Sequence, residues 1–86
     1  MDVDKALSKC IEAVYEGLNK GESVIRIRRG VPESASHADY FTRFKVDIAT
    51  LDGSGNNPTN RRSIVVRISS NTGQAQIVPS AEIPDV

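Results

Sequence analysis

Serine, histidine and aspartate occur together in Ser34-Ala35-Ser36-His37-Ala38-Asp39, the side-chain set of nucleophilic hydrolysis. That chemistry needs the three groups to meet from separate segments, held at hydrogen-bond distance by a rigid scaffold. Three near neighbours in one stretch of Gly, Pro, Ser and Ala lack such preorganisation, so the stretch reads as solvated loop polarity. Cys10 is the single cysteine, and a reactive thiolate needs exposure and a lowered pKa. It lies instead in an apolar stripe at helical spacing, where a thiol packs as a small hydrophobe. Gly53-Ser54-Gly55 begins like a dinucleotide fingerprint but lacks the third glycine and a following helix, and no P-loop lysine follows. Asn57-Pro58-Thr59 carries proline where it forbids N-glycosylation. One His, one Cys and scattered carboxylates give no metal-ligand spacing. No catalytic residue, metal or cofactor is expected, and the chain reads as non-enzymatic.

Charge placement is more informative. Eleven basic residues balance eleven acidic ones, which argues against a polyanion-binding tail or an acidic disordered segment. The signs are unevenly spread, however. Residues 1–22 hold Asp2, Asp4, Glu12, Glu16 and Glu22 against three lysines, whereas residues 23–70 hold eight basic residues against four acids. What those cations do depends on the elements that carry them.

The first element reads as an amphipathic helix over Asp4–Asn19. Val3, Leu7, Cys10, Ile11, Val14 and Leu18 recur at spacings of three and four, which gathers them on one helical face. Asp2 and Asp4 are N-cap candidates, and Asn19-Lys20-Gly21 offers a basic residue and a glycine able to turn left-handed at the end. The period then falls to two. Ser23–Arg29 alternates, with Ile25 and Ile27 predicted inward and Arg26 and Arg28 outward. Gly30–Ala38 reads as a loop. Asp39–Leu51 reads as a long strand with Tyr40, Phe44, Val46 and Ile48 inward and Phe41, Arg43, Lys45 and Asp47 outward. Asp52–Asn60 is dense in turn formers and reads as a hairpin connection. Arg62–Ser70 follows, with Ile64, Val66 and Ile68 inward and Val65 and Arg67 outward. Ser70-Asn71-Thr72-Gly73 has the composition of a turn closed by a left-handed glycine. Gln74–Val78 forms a last strand before Pro79, and residues 80–86 read as an extended tail.

Short links make neighbouring strands antiparallel, and their apolar face needs a cover. A 16-residue helix spans about 24 Å at about 1.5 Å per residue, enough to supply one. The expected fold is therefore α+β: an N-terminal helix packed on one face of a four-stranded antiparallel meander (α-β-β-β-β, two layers). Residues 1–79 of the 86-residue chain are expected to form a single domain, because the chain is too short for two independent cores. A lone cysteine excludes an intramolecular disulfide. No apolar run approaches the roughly 20 residues of a membrane span, and the acidic start is unlike a signal peptide. The expected setting is the cytoplasm. Helix followed by meander resembles the general architecture of cystatin-like and other small helix-on-sheet domains, and Ser70–Gln74 is similar to turns in small secreted or immunity-type modules. Neither likeness carries a motif, so neither assigns a family.

On this reading Arg26, Arg28, Arg43, Lys45 and Arg67 project from the sheet face opposite the helix, with Asp47 the one acid among them. An exposed face needs solvated side chains, and arginine stems also cover apolar surface, but like charges on neighbouring strands repel. The face is therefore expected to receive a polyanion. Nucleic-acid sheet platforms add aromatic rings for base stacking, and here only Phe41 is so placed. The pI of about 6.6 is also low for a dedicated nucleic-acid binder. The expected partner is an acidic protein surface, met by Arg26, Arg28, Arg43, Lys45 and Arg67 with Phe41 and Val65 as apolar anchors and loops 30–38 and 52–60 alongside. Such a protein would serve as a small inhibitor, adaptor or regulatory subunit. The alternative is a nucleic-acid-binding module using the same face. The uncharged edge strand Gln74–Val78, or the open face, also offers a route to a homodimer.

Overall fold

In the computed structural model, residues 3–36, 39–51 and 57–79 are described. The chain runs α1 (Val3–Glu16), β1 (Glu22–Arg29), β2 (Glu33–Ser36), β3 (Asp39–Leu51), β4 (Pro58–Ser69) and β5 (Ala75–Pro79). All pairings are antiparallel, in the order β1-β3-β4-β5, with β2 also on β3. The α+β architecture expected from the sequence is the one observed, with a fifth strand added to the sheet. That strand lies inside Gly30–Ala38, the segment expected to be a loop.

β1 and β2 lie end to end along the same side of β3. β1 pairs with Phe44–Thr50 and β2 with Asp39–Phe41. The Gly30 amide still donates to the Arg43 carbonyl at 2.8 Å, and the interruption falls at Pro32, which has no N–H to give. β3 is 13 residues long, about 43 Å at about 3.3 Å per residue. It sets the longest of the 48 × 22 × 19 Å dimensions.

The helix ends at Glu16, earlier than the expected Asn19, because Gly17 follows and its amide closes the last turn on the Val14 carbonyl at 3.0 Å. Gly21 is left-handed (φ 84°) but serves the turn into β1, where the Glu22 amide bonds the Asn19 carbonyl at 3.0 Å. The helix buries Ala6, Cys10 and Val14, one side chain per turn. It lies over β3, β4 and β5 and does not reach β1. Against it pack Phe44, Val46 and Ile48 of β3 and Ile64, Val66 and Ile68 of β4, all at most 6% exposed. Fourteen helical residues cover only about 21 Å, about half the length of β3. Tyr40, expected inward, is accordingly 42% exposed beyond the helix. No described helix is long and apolar enough to cross a membrane.

Three register shifts interrupt the ladders: one lies in β2 between Ser34 and Ser36, and two β-bulges reset the alternation of β1 and β4. In β1 the register shifts between Val24 and Arg26; in the β3–β4 pair it shifts at Ile48/Thr50, opposite Asn60. The first corrects the expected inward set. Val24 and Ile27 pack on the core, while Ile25 turns out and is 38% exposed. The second places Asn60 at φ 50°, a conformation asparagine tolerates better than most residues. β4 also begins at Pro58 rather than Arg62. The β4–β5 connection turns as expected. Gly73 is left-handed (φ 71°) and donates to the Ser69 carbonyl at 2.9 Å, and the Ser69 amide bonds the Gln74 carbonyl at 3.1 Å. Residues 37–38, 52–56 and 80–86, which include His37, most of the second expected loop and the expected tail, lie outside the described residues.

Candidate protein-binding face

The face of the sheet turned away from α1 is built by alternation from β3 and β4, with β1 and β2 at its margin. Along β3 it presents Phe41, Arg43, Lys45 and Asp47. The register sets these against Ser69, Arg67, Val65 and Ser63 of β4, and sets Lys45 and Asp47 against Arg28 and Arg26 of β1. Arg43 thus lies directly opposite Arg67, and Lys45 opposite Arg28. Like charges opposed across strands destabilise a sheet unless something stands between them.

Between Arg43 and Arg67 that something is Glu33. β2 places it opposite Phe41, and its two carboxylate oxygens accept from Arg43 Nη1 at 3.1 Å and Arg67 Nη2 at 2.7 Å. Arg43 is fixed further by Nε, which donates to the Val31 carbonyl at 2.8 Å. Arg67 lies over the Phe41 ring, 3.9 Å from its centroid, so the ring's face is already taken by a cation. One row along, Arg28 meets Asp47 at 3.5 Å, and Asp47 also accepts from Ser63 Oγ at 2.7 Å. The five expected cations are therefore set among two carboxylates, Asp47 and Glu33. Alternation along the long strands predicts only Asp47 there; Glu33 arrives from β2, inside the segment expected to be a loop.

The structure gathers Phe41, Arg43 and Arg67 into one cluster with Glu33, and places Arg28 and Lys45 beside it. Arg26 is exposed at the β1 margin past the bulge, as are Arg29 and Arg61 near the strand ends. Val65 lies on this face but is 4% exposed, so it packs the sheet and presents no accessible apolar anchor. Two shallow depressions flank the cluster. One, of about 210 Å³, is lined by Phe41, Ser69, Thr72, Gln74 and Gln76. The other, of about 320 Å³, lies between the two bulges among Ile25, Arg28, Asp47, Arg61, Arg62 and Ser63.

Two further groups have distinct chemistry. Glu22, on the helix side at the end of β1, takes a two-pronged hydrogen bond from Arg62 (2.9 Å from both Nε and Nη2) and another from the Asn19 amide at 2.8 Å. The Arg62 hydrogen bonds, then that amide, hold its carboxyl well below the ordinary carboxylate range, at about 2. Cys10 is fully buried, and burial pushes its thiol up to about 11, the opposite of an activated nucleophile. No group of three His, Cys, Asp or Glu side chains converges among the described residues. Comparison of the chain with protein-family models, with curated proteins and with solved structures finds no match in any of the three.

Proposed function

We propose that the chain is a non-enzymatic, cytoplasmic binding protein, an inhibitor, adaptor or regulatory subunit, that receives an acidic protein surface on its open sheet face. The observation that carries this reading is the pair of guanidinium groups, Arg43 and Arg67, held side by side around one carboxylate. Glu33 occupies them as a glutamate or aspartate from a partner would. It sits at the sheet margin with its side chain 37% exposed, so a partner carboxylate can displace it or bind beside it. Arg26, Arg28 and Lys45 extend the positive field along the face and favour association with an acidic surface. Guanidinium forks match carboxylates in two-pronged geometry.

A nucleic acid on the same face is the competing reading, and Arg67 counts against it. Its guanidinium covers the one aromatic ring of the face that bases would stack on. The two readings separate in fluorescence anisotropy at low salt with labelled poly-L-glutamate and a labelled single-stranded oligonucleotide. The expected result is salt-sensitive binding of poly-L-glutamate, loss of that binding in the double variant Arg43→Glu/Arg67→Glu, and tighter binding in Glu33→Gln, which removes the internal competitor. Undiminished binding by the double variant, or none by the native chain, overturns the proposal. Tight binding of the oligonucleotide alone replaces it with the competing reading.

A further inference from the structure

The sheet has two edges, and the chain treats them differently. β1 is guarded: it is bulged at Val24/Arg26 and carries Arg26, Arg28 and Arg29. Bulges and edge charges are the usual devices that stop a free edge from pairing with another chain. β5, Ala75-Gln76-Ile77-Val78-Pro79, carries no charge and no bulge, and its partners run in unbroken register from Ile64↔Pro79 to Ile68↔Ala75. No described element pairs with its outer side. We propose that this edge is an interface for a second copy of the chain, joined β5 to β5 in antiparallel fashion about a two-fold axis.

The backbone phase of the strand decides the register. The Ser69 amide bonds the Gln74 carbonyl, so that carbonyl and, by alternation, the amides and carbonyls of Gln76 and Val78 turn toward β4. By alternation those of Ala75 and Ile77, and the carbonyl of Pro79, turn outward. With Ile77 opposite its own copy, each Ile77 amide donates to the other's Ile77 carbonyl and each Ala75 amide to the other's Pro79 carbonyl. Both outward donors of the edge are satisfied, and Pro79, which has no N–H, stands where only an acceptor is needed. Ile77 lies on the helix side beside Gly17, where an added Cβ would meet its Cδ1 at 3.8 Å, and is 44% exposed; pairing covers it with its twin. A second copy is the occupant that fits because an uncharged strand meets itself without like-charge repulsion, whereas β1 would oppose arginine to arginine. A two-fold axis normal to the sheet keeps both open faces on one side, so the cationic clusters of two copies share a continuous surface. The interface does not depend on what that surface binds.

Sedimentation and oxidative cross-linking test it with the intact chain. The native protein is expected to sediment at twice its 9.3 kDa mass at sub-millimolar concentration. Ile77→Lys, which sets two ammonium groups against each other, should weaken the dimer roughly tenfold or more. Its circular dichroism and melting show whether the monomer stays folded. Opposed hydrogen-bonded residues have Cα atoms about 5.5 Å apart, inside the disulfide range of about 4.4–6.8 Å. Ile77→Cys should therefore form a covalent dimer under mild oxidation, while Ile25→Cys, similarly exposed on the guarded edge, should not. Buried Cys10 is silent in both. A native chain that stays monomeric to millimolar concentration, a dimer untouched by Ile77→Lys, or faster cross-linking at Ile25→Cys than at Ile77→Cys each overturns the proposal.

Discussion

The same two strands, β3 and β4, present two faces that obey different rules. Under the helix, Phe44, Val46, Ile48, Ile64, Val66 and Ile68 are all but sealed from water, and close packing makes their shape and register matter. On the open side, Arg43, Lys45, Asp47 and Arg67 are half-buried, and what matters is how charges of both signs are shared among strands. One face holds the fold in place and leaves the other free to carry a pattern of charge. Truncation on the closed face should accordingly cost most. Phe44→Ala should lose about 3–5 kcal/mol in chemical denaturation, whereas Lys45→Ala, its neighbour on the open side, should stay within about 0.5 kcal/mol of the native value. Comparable losses at both positions would erase the distinction.

The faces are assigned by alternation, and alternation is reset at the bulges, so the next largest effect belongs there. Asn60 holds φ 50° opposite the register shift. A β-branched residue in that conformation costs about 1–2 kcal/mol, so Asn60→Val should destabilise by that much. Asn60→Gly, which accepts the conformation freely, should leave the midpoint nearly unchanged. Equal losses would mean that the asparagine side chain, not the backbone bend, is what the bulge requires.

Smaller still, and confined to the open face, is the effect of Glu33. Glu33→Gln leaves Arg43 and Arg67 opposed without an anion between them. The site is partly exposed, so the loss should be about 1 kcal/mol or less, and it should shrink as salt screens the two guanidinium groups from each other. A loss that does not change with salt would mean that Glu33 acts through packing rather than charge.

Much of this was legible in the residues. Leu7, Cys10 and Val14 mark the helix by their spacing, the long alternation from Asp39 to Leu51 marks β3 to the residue, and Gly73 marks its turn. Glu33 was not. Four residues of β2 are too few to show a period, and Pro32, Ser34 and Ser36 look like loop, so no local signal puts the acid that joins Arg43 to Arg67 on their face. Ile25 misled for a related reason. It stands two residues from Ile27, as an inward pair would, and only backbone pairing shows that a bulge intervenes. Local composition reports period and turns, whereas cross-strand register depends on partners distant in sequence, and the electrostatics of an open face follow register.

Glu33, the shared carboxylate of the open face, has a counterpart in Glu22, the carboxylate at the end of the helix side that α1 does not cover. Glu22 is bound by Arg62 through two nitrogens and by the Asn19 amide, joining β1 to β4 across the end of β3. Its folded pKa, about 2, lies below that of an unfolded glutamate, about 4.3. A depressed carboxyl stabilises the fold at every pH above the unfolded value, and the contribution fades as pH falls from there toward the folded value. Arg62 remains charged throughout. The melting temperature of the native chain should therefore drop through the window from about pH 5 to about pH 2 more steeply than that of Glu22→Gln. The glutamine still accepts from the Asn19 amide but has no proton to take up. The two curves should run parallel above that window, where neither side chain titrates. If they run parallel inside it as well, the Glu22–Arg62 contact contributes geometry without charge, and the helix side of the sheet is held by apolar packing alone.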